Sequence, residues 1–439
     1  MQKTKLSKKF YLALVIFSLV GQVAWVVENM YLNVFIYKMF HASAGDISLM
    51  VAASAIAATV TTLLIGALSD KIGKRKIFIC GGYILWGISI WSFALVRTDW
   101  IRTVFDPLIP AVASAAELGV VLVILIDCVM TFFGSSANDA CFNAWLTDST
   151  DETNRGTAEG INAMMPLLAI LAVFGGFMGV DQDKAESWTL IFGVIGTVVL
   201  ALGISGFFLI EDKTVKAEEN AHYFRNIFYG FRPSVIKSNA PLYMTLAALA
   251  VFNISIQIFM PYLILYYTEA VGLTDYVLIF APAIIVSAVF TALYGKVYDS
   301  HGFRKAVIPT MVLLAAGYVG LYFVRNTALV FAASLIMMCG YIGTGAMLGA
   351  AIRDFTPKNK AGMFQGLRIV GQVLIPGVIG PAIGAWVLKN ADKVVNSDGT
   401  TSFIPNENIF LAALIALVAA GIVMIPLFKL LRKEKNNAG

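Results

Sequence analysis

The sequence predicts an all-α membrane protein of twelve transmembrane helices, arranged as two related halves of six. Three observations predict it. Of the 439 residues, 59% are hydrophobic and 13% charged, with a mean hydropathy of +0.79, against roughly 45–50% and 25% in soluble domains. The apolar residues gather into runs of about 20, the length that crosses ~30 Å of hydrocarbon at the helical rise. One loop motif then occurs twice, at the same place in each block of six runs.

Taken in order, the runs lie near 11–37, 47–69, 77–97, 119–146, 158–180 and 188–210. A second set lies near 241–267, 276–296, 306–324, 327–352, 362–388 and 408–430. The polar stretch 211–240, with Glu211, Asp212, Lys213, Lys216, Glu218, Glu219, Arg225, Arg232 and Lys237, separates them. The expected organisation is a first six-helix bundle over 1–210, a cytoplasmic linker over 211–240 and a second bundle over 241–439. The basic stretch Met1 to Lys9 runs straight into the first apolar stretch with no small-residue cleavage site, so it reads as a retained span.

Charge placement gives the orientation. With the N-terminus inside, only Lys38, Arg97, Arg102, Lys184, Arg325, Lys389 and Lys393 of the 32 Lys and Arg fall outside. Arg368 falls within a span, and the remaining 24 are on the inner side. That bias puts both termini and the linker in the cytoplasm, of a plasma (inner) membrane crossed many times. The long outer segments, about 98–118 and 389–407, carry few positive charges, and Trp91, Trp100, Trp188 and Trp386 sit near outer ends where indoles prefer the headgroup layer.

The same placement excludes other classes. The net charge of +5 lies in short loops and forms no basic stripe interleaved with aromatics, so no nucleic-acid partner is expected. Cys80, Cys128, Cys141 and Cys339 all lie in apolar runs without metal-ligand spacing and read as packing residues. His41, His222 and His301 lie in or near loops and do not pair at metal or triad spacing, and no phosphate-binding loop is present. No enzyme, metal or cofactor is expected; energy must come from an ion gradient or a partner.

The repeat reads Gly66-Ala-Leu-Ser-Asp70-Lys-Ile-Gly73-Lys-Arg75-Lys76 after span 2, and Gly295-Lys-Val-Tyr-Asp299-Ser-His-Gly302-Phe-Arg304-Lys305 after span 8. Gly, Asp, Gly, Arg and Lys match at a constant offset of 229. The first glycine lets helices approach closely. The second supports a turn with an unusual backbone angle. The aspartate can cap a helix N-terminus while the basic residues stay on the cytoplasmic side. A second set, Asp148, Gly156, Glu159 and Gly160, recurs as Asp354, Gly362, Gln365 and Gly366 at an offset of 206. The change in offset fits a longer outer segment between spans 3 and 4.

On these motifs nearly the whole chain resembles the major facilitator superfamily, whose hallmark loop is matched at Gly66, Asp70, Gly73, Lys74 and Arg75. The resemblance implies two pseudo-symmetric six-helix bundles and alternating access. It also implies that Gly66, Asp70, Gly73 and Arg75, with Asp299 and Arg304 in the second loop, act in gating. The polar run Ser135-Ser136-Ala137-Asn138-Asp139 ending span 4 and a polar, charged span 1 resemble the glycoside–pentoside–hexuronide:cation symporter group. Span 2 departs from that group: Asp46 stands alone where sodium-coupled members have two aspartates a turn apart.

Polar residues at membrane depth cost roughly 2.5–3.5 kcal/mol each when charged, so they are expected to line a cavity or meet a partner. In span 1, Gln22, Trp25, Asn29 and Asn33 fall within roughly 80° of one face at 100° per residue, with Glu28 about 60° further round. In span 4, Asp127, Thr131, Gly134, Asn138 and Trp145 share a face and Asp139 lies on a neighbouring one. In span 7, Asn253, Gln257 and Tyr267 flank Pro261; in span 11, Gln365, Arg368 and Gln372 cluster. Gln22, Trp25, Asn29, Asn253, Gln257 and Gln372 are the expected substrate contacts. Glu28, Asp127, Asp139 and Arg368 are the expected groups for coupling to H+ or Na+, with Arg368 facing an acid such as Glu28 or Asp139.

The expected function is secondary active symport of a small molecule, a sugar or glycoside, by a monomer in a lipid bilayer. The alternatives are a proton-coupled exporter of drugs or lipid-like molecules, and a receptor that binds without transporting. The amide-rich faces weigh against the first, and tails of about ten residues against the second.

Overall fold

A computed structural model describes residues 6–105, 114–151, 154–211, 229–273, 275–357, 367–396 and 399–438. Gln365, most of the 211–240 stretch and part of the 98–118 segment lie outside them, as does the side chain of Asp70. Twelve helices among these residues are long and apolar enough to span a membrane. Spans 1 to 6 are Lys8–Phe40, Ala44–Ser69, Arg75–Phe93, Ala115–Ser149, Thr157–Gly176 and Ala185–Leu209. Spans 7 to 12 are Ala240–Ala270, Val277–His301, Phe303–Phe323, Thr327–Phe355, Leu367–Asn390 and Asn408–Arg432.

Several span ends are set by local chemistry. Ser43 begins span 2 with a capping box: its hydroxyl accepts from Asp46 N at 3.2 Å, and the Asp46 carboxylate accepts from Ser43 N at 2.8 Å. Asp46 is therefore a helix cap. Ser114 and Glu117 repeat the device at the start of span 4, each box satisfying donors the helix itself leaves open. At the inner ends, Gly73 (φ 69°) closes the helix that contains span 2, and Gly302 (φ 79°) follows span 8. A side chain at either position would be strained.

The chain separates into two compact units, Met1–Tyr223 and Phe224–Gly439. In the first, span 1 packs on spans 5 and 6, span 2 on span 4, and span 3 on spans 4 and 6. In the second, span 7 packs on spans 11 and 12, span 8 on span 10, and span 9 on spans 10 and 12. Adding six to each number of the first set gives the second. The two units thus repeat one packing scheme internally.

Without a hydrophobic force between helices in lipid, close packing must hold them together. Spans 3 and 6 meet on glycines. A Cβ on Gly87 would lie 2.5 Å from Leu200 N, and one on Gly203 would lie 2.6 Å from Ile84 N. In the second unit, a Cβ on Gly317 would lie 2.5 Å from Met337 Cα, joining spans 9 and 10. On the outside, Leu49, Ile56, Val60, Leu64 and Leu68 of span 2 are exposed at a spacing that makes one apolar stripe, as lipid contact requires. Between spans 11 and 12 a two-stranded hairpin pairs Lys393–Val395 with Thr401–Phe403. It seats buried Phe403 against Tyr262, the ring centroids 6.3 Å apart.

Gly87→Ala should force spans 3 and 6 apart and destabilise the chain by about 1–3 kcal/mol, the usual cost of overpacking. Gly81→Ala, on the same helix with nothing within 4 Å of the added carbon, should leave the apparent melting temperature in detergent unchanged. Equal melting of the two variants would contradict the close crossing.

Candidate functional site

Among the described residues four membrane helices carry a segment wound as π-helix: Val27–Tyr31 in span 1, Ser135–Phe142 in span 4, Tyr266–Ala270 in span 7 and Val370–Leu374 in span 11. Such widened turns gather at functional positions. These are also the four spans in which the sequence places polar residues at depth, and the π segments hold Glu28, Asn29, Asn138, Asp139 and Gln372 themselves.

In the first unit three carboxyls come into one electrostatic neighbourhood. Glu28 is buried, and its Oε1 accepts from Ser54 Oγ at 2.7 Å and from Thr131 Oγ1 at 3.0 Å; the two hydroxyls are 2.8 Å apart. Its Oε2 is buried without a hydrogen-bond partner, and so is Asp127 Oδ1. Glu28 interacts electrostatically with both Asp127 and Asp139. Asp139 is half-buried, with Ser135 Oγ donating to Oδ2 at 3.0 Å, Asn138 Nδ2 to Oδ1 at 3.2 Å, and the Trp25 indole within hydrogen-bonding reach. No basic side chain is ion-paired with any of the three among the described residues. Nor is any group of three or more His, Cys, Asp or Glu there placed to hold a metal ion.

Beside the acids lies an aromatic platform. Trp25 is half-buried and stacks obliquely on Trp86, centroids 5.0 Å apart. Gly134 makes the room, since a Cβ there would lie 2.7 Å from the Trp86 ring and 3.0 Å from Trp25. Trp86 is fully buried and its Nε1 has no hydrogen-bond partner. Behind it, Tyr83 Oη lies 2.9 Å from the Phe17 carbonyl and 3.0 Å from Asn138 Oδ1. Gln22 is half-buried on the same helix as Trp25, whereas Asn29 is exposed and donates to the Trp25 carbonyl at 2.8 Å. Asn33 is buried and donates to the Asn29 carbonyl at 2.8 Å. The amides of span 1 therefore do not share one environment.

Sequence reasoning missed Ser54 and Trp86. The first sits in the alanine-rich run Ala52-Ala53-Ser54-Ala55, which gives no signal of its own. The second could have been noticed as a tryptophan in mid-span, away from the interfacial belt where indoles usually sit.

In the second unit, spans 7 and 11 bring Asn253 to Gln372, which Arg368 also bonds, while Gln257 meets span 11 eight residues further on, at Gly380. Asn253 Nδ2 lies 3.5 Å from the Gln372 carbonyl, and Arg368 Nε donates to Gln372 Oε1 at 3.1 Å. Gly380 lies against Gln257, where an added Cβ would come within 2.9 Å of the Gln257 carbonyl carbon.

The repeated loops differ in their contacts. Arg75 is buried, donates from Nε to Asp148 Oδ2 at 3.2 Å and also bonds the Ser69 hydroxyl. Gly66, the first glycine of that loop, lies 3.9 Å (as a Cβ) from Ala140. Arg304 is instead exposed over the Phe428 ring, its guanidinium carbon 5.6 Å from the centroid, and Asp299 is exposed. Asp354, the repeat counterpart of Asp148, accepts from the Tyr298 hydroxyl at 2.5 Å. Tyr298 stands where the first loop has Ser69. A hydroxyl on a long aromatic arm reaches the carboxylate that the arginine takes in the first unit.

Comparison with known proteins gives the family and the fold. The sequence model of the family described as Major Facilitator Superfamily matches residues 11–381 and again 278–439. No curated protein matches the chain. Among solved structures, a D-xylose–proton symporter is similar over 95% of this chain and 98% of its own, at 14% identity and TM-score 0.71. A bacterial homolog of the human lysosomal transporter Spinster, inward-facing and occupied, covers 97% and 98% at 15% identity and TM-score 0.70. The nucleoside transporter NupG covers 95% and 98% at 13% identity and TM-score 0.66. At such identities the likeness is one of fold.

Arg75→Ala should leave the half-buried Asp148 carboxylate and Ser69 without their shared donor and cost about 1–3 kcal/mol. Arg304→Ala removes an exposed cation over a ring and should cost at most about 1 kcal/mol. Apparent melting temperatures of the two variants, measured side by side in detergent, check the order.

Proposed function

The chain belongs to the major facilitator superfamily of membrane transporters, and from that premise we propose that it is a cation-coupled symporter of a sugar or glycoside, working by alternating access. The observation that carries the coupling is the pair Glu28 and Asp127, each buried with an oxygen that has no hydrogen-bond partner. An ionised carboxylate in hydrocarbon surroundings is costly unless something compensates it. Two of them near one another call for a cation that comes and goes, H+ or Na+. Asp139 is the third acid of the set, and Arg368 is the positive charge of the scheme.

Each unit offers its own hydrogen-bonding face to a hydroxylated substrate. In the first, Trp25 supplies a flat apolar ring while Gln22 and Asn29 supply amide donors and acceptors. In the second, Asn253, Gln257 and Gln372 do so around the π-wound part of span 11. A sugar ring suits this combination, since its C–H faces stack on an indole and its hydroxyls pair with amides. The solved structures with the same fold include a D-xylose–proton symporter, which agrees with this reading. The gating roles assigned to Gly66, Asp70, Gly73, Arg75, Asp299 and Arg304 belong to the same proposal. So does a plasma-membrane setting with cytoplasmic termini, supported by the Lys and Arg bias.

Ligand-induced thermal stabilisation of the purified chain tests the substrate class. A ligand at a hundredfold excess over its Kd adds about 2.7 kcal/mol of stability, so sugars, glycosides, nucleosides and amphipathic cations can be ranked directly. Stabilisation by a sugar or glycoside, lost in Trp25→Ala, is the expected result. Stabilisation by amphipathic compounds alone would replace the symporter with an exporter of drugs or lipid-like molecules.

Coupling is tested in proteoliposomes with the ligand so found. Glu28→Gln and Asp127→Asn should abolish accumulation against a gradient while downhill exchange continues. Uphill uptake retained by both variants would refute the coupling scheme.

A further inference from the structure

The three oxygens around Glu28 pose a counting problem. Glu28 Oε1, Ser54 Oγ and Thr131 Oγ1 form a triangle with sides of 2.7, 2.8 and 3.0 Å. All three contacts are within hydrogen-bonding distance, so each calls for one proton. The two hydroxyls supply two. Ser54 and Thr131 cannot both donate to Glu28 and also bond each other.

We propose that Glu28, Ser54 and Thr131 form a three-oxygen ring closed by a proton on the Glu28 carboxyl, so that the coupling position takes a hydrogen ion and not a metal cation. The proposal rests on the symport reading above and narrows its ion. Binding adds one H+ to the carboxylate and breaks no covalent bond. With the proton in place each oxygen donates once around the ring. Without it, both hydroxyls turn toward the carboxylate and the contact between them loses its proton.

The arrangement disfavours a metal ion because of where the donors point. A cation held by hydroxyl oxygens needs their lone pairs aimed at it and their protons aimed away. In the unprotonated site both hydroxyl protons are directed at the carboxylate that would be the principal ligand. The ring also joins three helices, since Glu28, Ser54 and Thr131 lie on spans 1, 2 and 4. Loading the proton would therefore add a bond between spans 2 and 4 to the two that already tie each of them to span 1, and Ser54 and Thr131 are positioning residues in that closed ring.

Other titratable groups near Glu28 are Asp127, Cys128 and Asp139 on span 4, each coupled to it electrostatically. Tyr83 on span 3 interacts electrostatically with Asp139, its Oη 3.0 Å from Asn138 Oδ1. Spans 2, 5 and 6 carry acidic side chains only in their first turns, Asp46, Glu159 and Glu186.

Infrared difference spectra of the full chain in lipid nanodiscs, taken between alkaline and acidic pH, read the protonated-carboxyl C=O band directly and need no substrate. One component of that band should vanish in Glu28→Gln, survive in Asp127→Asn, and move to higher wavenumber in Ser54→Ala and in Thr131→Val as a hydrogen bond is lost. Exchanging K+ for Na+ should leave it unchanged. A spectrum identical in Glu28→Gln, or a Glu28 component removed by Na+, overturns the proposal. Should Glu28→Gln fail to fold, an unmoved band in both hydroxyl variants overturns it equally. If the symport reading fails instead, uphill uptake is absent while the Glu28 component still behaves as described.

Discussion

Hydrocarbon offers no hydrogen bonds, so every polar group in a membrane span must find its partner within the protein. That constraint accounts for most of what the chain does. Backbone groups are satisfied by helices, and the span ends that reach water recruit Ser43, Asp46, Ser114 and Glu117 as caps. Many hydroxyls inside the spans fold back on their own helices, as Thr59 does on the Ala55 carbonyl, Thr245 on Pro241 and Ser287 on Ala283, while those of Thr62, Thr291 and Thr344 are buried without a partner. The buried tyrosines of the second unit do the same across helices, Tyr267 with Ser334 and Tyr318 with Ser255. Against that background an open carboxyl oxygen is conspicuous. Among the described residues the two buried ones, on Glu28 and Asp127, both belong to the first unit.

The repeat shows how two halves with one packing scheme acquire different side-chain contacts. The loops after spans 2 and 8 share glycines because each must turn a chain sharply at a helix end, and Gly73 and Gly302 both have positive φ. Side-chain contacts around those turns need not match. One difference, Ser69 against Tyr298, changes which group occupies the acid at the end of span 4 or span 10. The first unit gains a buried Arg–Asp pair. In the second, a neutral phenol meets the acid and the arginine lies exposed on an aromatic ring, so the two loops differ in how strongly charge ties their helices.

Span number, family resemblance and repeat were legible in the sequence because hydrophobicity and loop motifs are one-dimensional signals. The faces within the spans were legible only in part. A rotation of 100° per residue holds for an α-helix, and a π segment breaks the register. In span 1 the π turn Val27–Tyr31 lies between Trp25 and Asn33, so the two leave the common face, and Asn33 is buried where Asn29 is exposed. In span 4 the π stretch follows Gly134. Thr131 therefore keeps its place beside Glu28 and Gly134 beside the tryptophans. Trp145, beyond the stretch, stacks on Phe10 and Phe142 and donates to the Glu211 carbonyl. Ser54 and Trp86 were unreadable for a different reason, being defined by contacts across helices, and the hairpin at 393–403 arose in a segment read only as a long outer loop.

Winding and chemistry are then one problem. A π turn widens the helix by one residue per turn, which turns neighbouring side chains toward positions that regular α-helix spacing would not give them. Glu28 sits within such a turn, and Asn138 and Asp139 within another. Straightening either helix would rotate its polar groups relative to Ser54, Thr131 and Trp25, which their own helices hold in place. The polar cluster therefore depends on the winding of spans 1 and 4, and the hydrogen bonds it makes are what can hold those turns open. Glu28 thus lies where a change in its bonding can alter helix winding, the smallest motion through which a buried charge could act on a packed bundle.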